Sequence, residues 1–272
     1  MSNIKSRILT GSLLVISMII CIVASKYTFF LFFASLLILS LWEFYNIFET
    51  FGKSPQRVPG IIIGLFVFVI MFLQANGYDY NEILLLILGF TGTLFLFINE
   101  LRQKSVTPFE NIAITLLGIV YIAIPISLFW PIAYRENIYQ YDPNLILGYF
   151  IIIWIYDSMA YLVGVKFGKR KLLARISPKK SWEGAIGGYV FALIASYVLS
   201  MYFKELTLVQ WLISGTIISI FGTLGDLTES LLKRSVNIKD SGDLLPGHGG
   251  LLDRFDALFL AVPALYLYLQ FV

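Results

Sequence analysis

Nine runs of mostly apolar residues, each close to the roughly 20 that a helix needs to cross the hydrocarbon core of a bilayer, constrain this chain more than any other feature. They fall at 8–24, 27–42, 58–73, 83–97, 112–130, 145–165, 184–202, 206–225 and 251–271. The expected fold class is therefore all-α: a polytopic integral membrane protein of about nine transmembrane helices. Charged residues make up 14% of the chain, against about 25% in soluble proteins, and no stretch is left over for a separate soluble domain. A short break at Ser25 and Lys26 parts the first two runs, which together make a hairpin, and residues 1–7 read as a retained basic flank. The chain reads as one membrane-embedded unit. Its N-terminal helices, over 1–140, are expected to be a scaffold open to lipid access or oligomer contact, and 141–272 a catalytic part with two cytoplasmic loops.

Basic residues orient this array. With the N-terminus facing the cytoplasm, 17 of the 20 Lys and Arg residues fall on the cytoplasmic side, and only Lys26, Arg135 and Lys204 lie opposite. That is the split the positive-inside rule favours, and it places the protein in the cell membrane. A formal net charge of +3 is too small to imply a nucleic-acid partner. Cys21 is the only cysteine, so no disulfide within the chain can form.

Two cytoplasmic connections carry most of the polar chemistry. Segment 166–184, "KFGKRKLLARISPKKSWEG", holds seven basic residues and one acid, which taken alone also suits an anchor on anionic lipid. Segment 225–256 mixes acids, bases and glycines. Asp226, Glu229 and Ser230 share one helical face if the eighth span continues past Gly225. Asp253 and Asp256 stand at i and i+3 where the ninth run begins. An ionised carboxylate at the edge of hydrocarbon costs at least a few kcal/mol and normally faces a cavity, a counter-charge or a metal. Lys233, Arg234 and Arg254 could neutralise these acids as ion pairs; the alternative is an oxygen-ligand site for Mg²⁺, which favours a few carboxylates together with substrate phosphates. Asp157, with Tyr161 one turn on, is a further intramembrane acid.

"PGHGG" at 246–250 surrounds the lone histidine, His248, with residues that leave backbone N–H groups free to approach phosphate at a helix start. "GVKFGKRK" is not a phosphate-binding P-loop, because three residues rather than four separate its glycines and Arg170 replaces the hydroxyl residue. Ala160, Gly164 and Gly168, and Gly184 with Gly188, recur at a spacing that marks close helix packing. The residues alone therefore describe a cytoplasmic-side cavity with carboxylates, a divalent cation and phosphate-complementary cations, which suits phosphoryl or nucleotidyl transfer to a lipid.

The run "SLLKRSVNIKDSGDLLPGHGGLLDRFD" at 230–256 closely resembles the signature of the phosphatidate cytidylyltransferases, the CDP-diacylglycerol synthases. "ISPKKSWEG", "DSMAYLVGVKFGK" and "GDLTES" resemble other blocks of that family. The match covers roughly the C-terminal 100 residues. The resemblance implies that CTP and phosphatidic acid give CDP-diacylglycerol and pyrophosphate in phospholipid biosynthesis, with Mg²⁺ as cofactor and a second cation left open. It implies Asp226, Asp253, His248, Lys239, Asp240 and Arg254 at the reacting groups, and Asp226, Asp253 and Asp256 as metal ligands. Around the substrates it sets Lys179, Lys180, Ser181, Glu183, Ser230, Lys233, Arg234, Gly249, Gly250, Asp157 and Tyr161. Transfer from CTP to a polyprenol or an ether-lipid phosphate stays open as an alternative acceptor, a secondary transporter as a different class, and a homodimer as an assembly.

Overall fold

In the computed structural model all residues are described except 1, 80, 104, 136–139, 239 and 243–248, and so are all their side chains except those of 2–9 and 82. Nine helices and one short ribbon make up the described chain: α1 (Ser2–Ala24), α2 (Lys26–Glu49), α3 (Arg57–Ala75), α4 (Glu82–Arg102), α5 (Pro108–Ala133), α6 (Asn144–Phe167), β1 (Lys171–Leu173), β2 (Ser177–Ser181), α7 (Trp182–Tyr202), α8 (Leu208–Ser235) and α9 (Leu252–Leu269). Seven of these, α2 to α8, are long and apolar enough to cross a membrane. The first expected run lies in α1, where Thr10–Ala24 is apolar among the residues whose side chains are described. The ninth lies in α9, whose 18 residues open with Asp253, Arg254 and Asp256 in the first turns.

Local chemistry sets where these helices start. Ser25 caps α2, accepting from the Thr28 N–H while Thr28 returns the bond to the Ser25 N–H, and Thr207 with Gln210 does the same for α8. Each such box satisfies two backbone donors that the first helical turn leaves open. Pro108 starts α5 at a position where its missing N–H costs nothing. A π-helical turn, Ile119–Ala123, widens α5 just before Pro125.

The chain divides into two compact units: one of Met1–Tyr139 with Asp240–Leu252, the other of Gln140–Lys239 with Asp253–Val272. The first has an aromatic core, in which Trp130 meets Phe29 edge-on with ring centres 4.8 Å apart and packs beside Phe68 and Phe72. The Tyr45 hydroxyl donates to the Thr115 carbonyl at 2.9 Å, and its ring lies against Gly60 and Gly118, where a Cβ would come within 2.4 and 2.7 Å.

The second unit is built on close backbone approach. Along α6 and α7 the small residues interlock as expected: a Cβ on Gly184 would stand 2.6 Å from the Ala160 carbonyl oxygen, and one on Gly188 2.8 Å from that of Tyr156. Gly225 of α8 faces α9 in the same way, its missing Cβ 2.5 Å from the Asp256 carbonyl oxygen. Between α6 and α7 the basic segment departs from the all-α expectation. It forms an antiparallel ribbon in which Lys171 pairs with Ser181 and Leu173 with Ser177. Pro178 and a cluster of like-charged residues disfavour a helix here, and the turn closes with the Ile176 N–H donating to the Leu173 carbonyl.

Candidate active site

The eighth run does not stop at Gly225. Helix α8 continues to Ser235, so Asp226, Glu229, Ser230 and Lys233 ride its last turns on neighbouring faces, and Ser230 Oγ donates to Asp226 Oδ1 at 3.3 Å. On the facing side Ser181 caps α7, accepting from the Gly184 N–H at 3.2 Å. That cap ends the ribbon and starts the helix, which holds Lys179 and Lys180 beside α8. The Lys180 ammonium pairs with Asp226 Oδ2.

These elements enclose a cavity of about 680 Å³ within the second unit. Asp157, Tyr161, Lys179, Lys180, Ser181 and Asp226, all expected site residues, line it together with Lys171. Gly164 and Gly168 form part of the wall, and a Cβ at Gly168 would fall 2.6 Å from Ser181 Oγ. Side chains at these glycines would press on Ser181 and on the neighbouring backbone of Gly164 and Gly184. A second, apolar groove of about 350 Å³ runs beside the first, lined by Trp182, Ile186, Tyr189, Ile220 and Leu224. The two share Leu172, Ala185, Tyr156 and Thr223, and the hydroxyls of Tyr156 and Thr223 are hydrogen-bonded at 2.5 Å.

A chain of carboxylates continues from the cavity. Asp256 is in electrostatic range of Asp226, Glu229 and Asp157. Lys233 stands between two acids, its ammonium 2.6 Å from Glu229 Oε2 and 2.5 Å from Asp253 Oδ1. Glu229 is 1% exposed, and its Oε1 is buried with no hydrogen-bond partner. Among the described residues no three His, Cys, Asp or Glu side chains form a ready-made metal cage. The donor set nonetheless fits Mg²⁺. Five carboxylates face two lysines in these contacts, one carboxylate oxygen is orphaned, and Mg²⁺ binds through one or two carboxylates and draws its other oxygens from substrate phosphate and water.

Other expected residues sit elsewhere. Glu183 accepts from the backbone N–H groups of Lys169 and Arg170 at 3.0 and 3.2 Å, so it ties the ribbon to the start of α7. Arg234 donates to the Ile238 carbonyl; Asp240 and Arg254 are exposed. Gly249 adopts φ +81°, a conformation that glycine alone takes readily. Gly250 is buried against Glu43. Lys239 and His248 lie outside the described residues. Glu229 is among the acids singled out in the sequence but not among the site residues that the resemblance implies, and Lys171 is in neither set, although both stand inside the quoted blocks; their burial and direction depend on how α8 and the ribbon fold.

The description "Cytidylyltransferase family" belongs to the family model that matches residues 5–272. A phosphatidate cytidylyltransferase of Bacillus subtilis (strain 168) is 34% identical over 271 residues, covering 98% of this chain and 97% of the relative. One of Haemophilus influenzae is 33% identical over 279 residues, with 96% of each chain covered. One of Staphylococcus haemolyticus is 39% identical over 210 residues, covering 76% of this chain and 78% of the relative.

Proposed function

Because the chain belongs to the cytidylyltransferase family, we propose that it transfers the cytidylyl group of CTP to phosphatidate, forming CDP-diacylglycerol and releasing pyrophosphate. The observation that carries this reading is the pairing of a charged cavity with an apolar groove across one wall. A lipid phosphate needs both at once, with its headgroup among cations and its acyl chain against Trp182, Ile186 and Ile220.

In the reaction a phosphate oxygen of phosphatidate bonds to the α-phosphorus of CTP, and the bond to the bridging oxygen of the β-phosphate breaks, so that pyrophosphate carries the electron pair away. A phosphate monoester has a second pKa near 6, so the nucleophile is already ionised at neutral pH and needs no strong base. Catalysis then rests on alignment and on charge placed where it develops. Lys171, Lys179 and Lys180 offset the charge of the phosphates. Lys233 holds Glu229 and Asp253 at fixed separation, and Ser230 orients Asp226. Asp226, Asp253 and Asp256 are the residues that would hold Mg²⁺, and a second cation is left open; when bound, the metal would offset negative charge on the phosphates. In this reading Lys239, His248, Asp240 and Arg254 act on the phosphates, a role that rests on the family resemblance of segment 230–256.

The positive-inside count supports nine crossings with the cavity facing the cytoplasm, where CTP is available. Purified protein in detergent, given CTP and phosphatidic acid with and without Mg²⁺, tests the proposal. Metal-dependent CDP-diacylglycerol that is lost in Asp253→Asn supports it. Turnover of Asp253→Asn at the wild-type rate removes that residue from the site, and absence of product from the wild type with these substrates overturns the acceptor.

A further inference from the structure

Glu43 is an acid in the middle of an apolar helix, 3% exposed, in the half of the chain that holds none of the expected site residues before Asp157. Its carboxylate accepts from the Ser241 hydroxyl at Oε1, and from the backbone N–H of Leu251 at 2.7 Å and of Leu252 at 3.3 Å at Oε2. The segment is cut to fit it. A Cβ on Gly250 would fall 1.5 Å from Glu43 Oε1, and one on Gly242 2.9 Å from the same atom.

We propose that Glu43 is a positioning residue for nucleotidyl transfer, acting as the N-cap of α9 from 208 residues away and so setting where the turn bearing Asp253 and Asp256 begins. The inference rests on the function proposed above. The first N–H groups of a helix have no partner within it, and a carboxylate there also meets the positive end of the helix dipole. The residue before α9 is Leu251, which has no side-chain acceptor, so Glu43 supplies one. Charge-assisted bonds of this kind are shorter and stronger than neutral ones. A carboxylate offers acceptors to each of these donors, whereas an amide presents one acceptor oxygen and turns an N–H₂ group toward the rest. The same need explains both glycines: the backbone must close around a charged group with no side chain in between.

Glu43→Gln keeps the size of the side chain and removes this capacity. Its kcat for CDP-diacylglycerol formation is expected to fall about 10- to 100-fold, the range for misplacement of reacting groups by about 1 Å, a larger loss than its folded fraction in detergent accounts for. Amide hydrogen exchange in a peptide covering 249–256 is expected to speed up in the variant, and this readout does not depend on turnover. Ser241→Ala, which removes one donor and leaves the carboxylate, is expected to show a smaller loss that does not add to that of Glu43→Gln. Unchanged exchange over 249–256 overturns the proposal whatever the enzyme's substrates, and so does a variant whose activity falls only in proportion to its folded fraction. A wild-type protein that makes no CDP-diacylglycerol, with exchange still accelerated by Glu43→Gln, instead sinks the proposed reaction and leaves the capping role standing.

Discussion

Lys233 and Lys180 each pair with acids of the site, yet their surroundings differ enough to separate stability from turnover. The side chain of Lys233 is 12% exposed between Glu229 and Asp253, which are 1% and 10% exposed. Removing one partner of a buried ion pair leaves an uncompensated charge and typically costs about 3–5 kcal/mol. Lys233→Met is therefore expected to lower the thermal midpoint in detergent sharply, or to prevent accumulation of folded protein. Lys180 and Asp226 are 29% and 32% exposed, a setting in which a pair contributes about 1 kcal/mol or less. Lys180→Met is thus expected to melt near the wild type while its turnover falls about tenfold or more, since in the proposed reaction it removes a cation that offsets phosphate charge. Melting curves and initial rates for the two variants check both statements, and equal melting losses would show that burial does not distinguish them. The acids themselves are readable in the chain because charge inside apolar helices is costly. Which lysine each acid takes is not readable, because Lys180 reaches Asp226 across 46 positions and Lys233 reaches Asp253 across 20.

At the scale of elements, the four-residue spacing of small residues in α6 and α7 is fully legible, because close packing of two helices requires small residues on one face of each. Gly188→Leu puts a side chain where a Cβ already stands 2.8 Å from the Tyr156 carbonyl oxygen and 2.9 Å from the Ala160 Cβ. Backbone cannot yield as a side-chain tip can, so the helices must part. The expected result is loss of about 1–3 kcal/mol or more from overpacking, read as a lower melting midpoint, together with loss of activity because Asp157 rides on one of the parted helices and Ser181 caps the other. Gly89→Leu, at a position with nothing within 4 Å of the missing Cβ, is the matched control and is expected to melt as the wild type. Three features of the elements escape the pattern of apolar runs. Polar residues from Asp226 onward end the eighth run, although the helix continues to Ser235 because its carboxylates find Lys180 and Lys233. The ribbon at Lys171–Ser181 carries no alternation that would mark strands. The second run ends at Trp42 by hydropathy, while α2 runs on to Glu49, which turns Glu43 from a flanking acid into a buried one.

Across the whole molecule, the distribution of Lys and Arg makes a prediction that no single contact contains. Arg175 lies exposed in the turn of the ribbon, and Lys204 lies exposed just past α7, its ammonium donating to the Met201 carbonyl at 2.7 Å. Helix α7 is 21 residues long and so reaches about 30 Å at 1.5 Å per residue, the thickness of a hydrocarbon core. The two positions are therefore expected on opposite faces of the membrane. Cys21 is the only cysteine, so a Cys21→Ser background carrying either Arg175→Cys or Lys204→Cys gives one thiol at a known place. In sealed vesicles with the original outer face outward, a membrane-impermeant maleimide is expected to label Lys204→Cys at once and Arg175→Cys only after the membrane is opened. The reverse order would invert the orientation and put the cavity on the side without CTP. Labelling of both from one side would mean that α7 does not cross, and the ribbon and the end of α7 would then share a face despite the length of the helix between them.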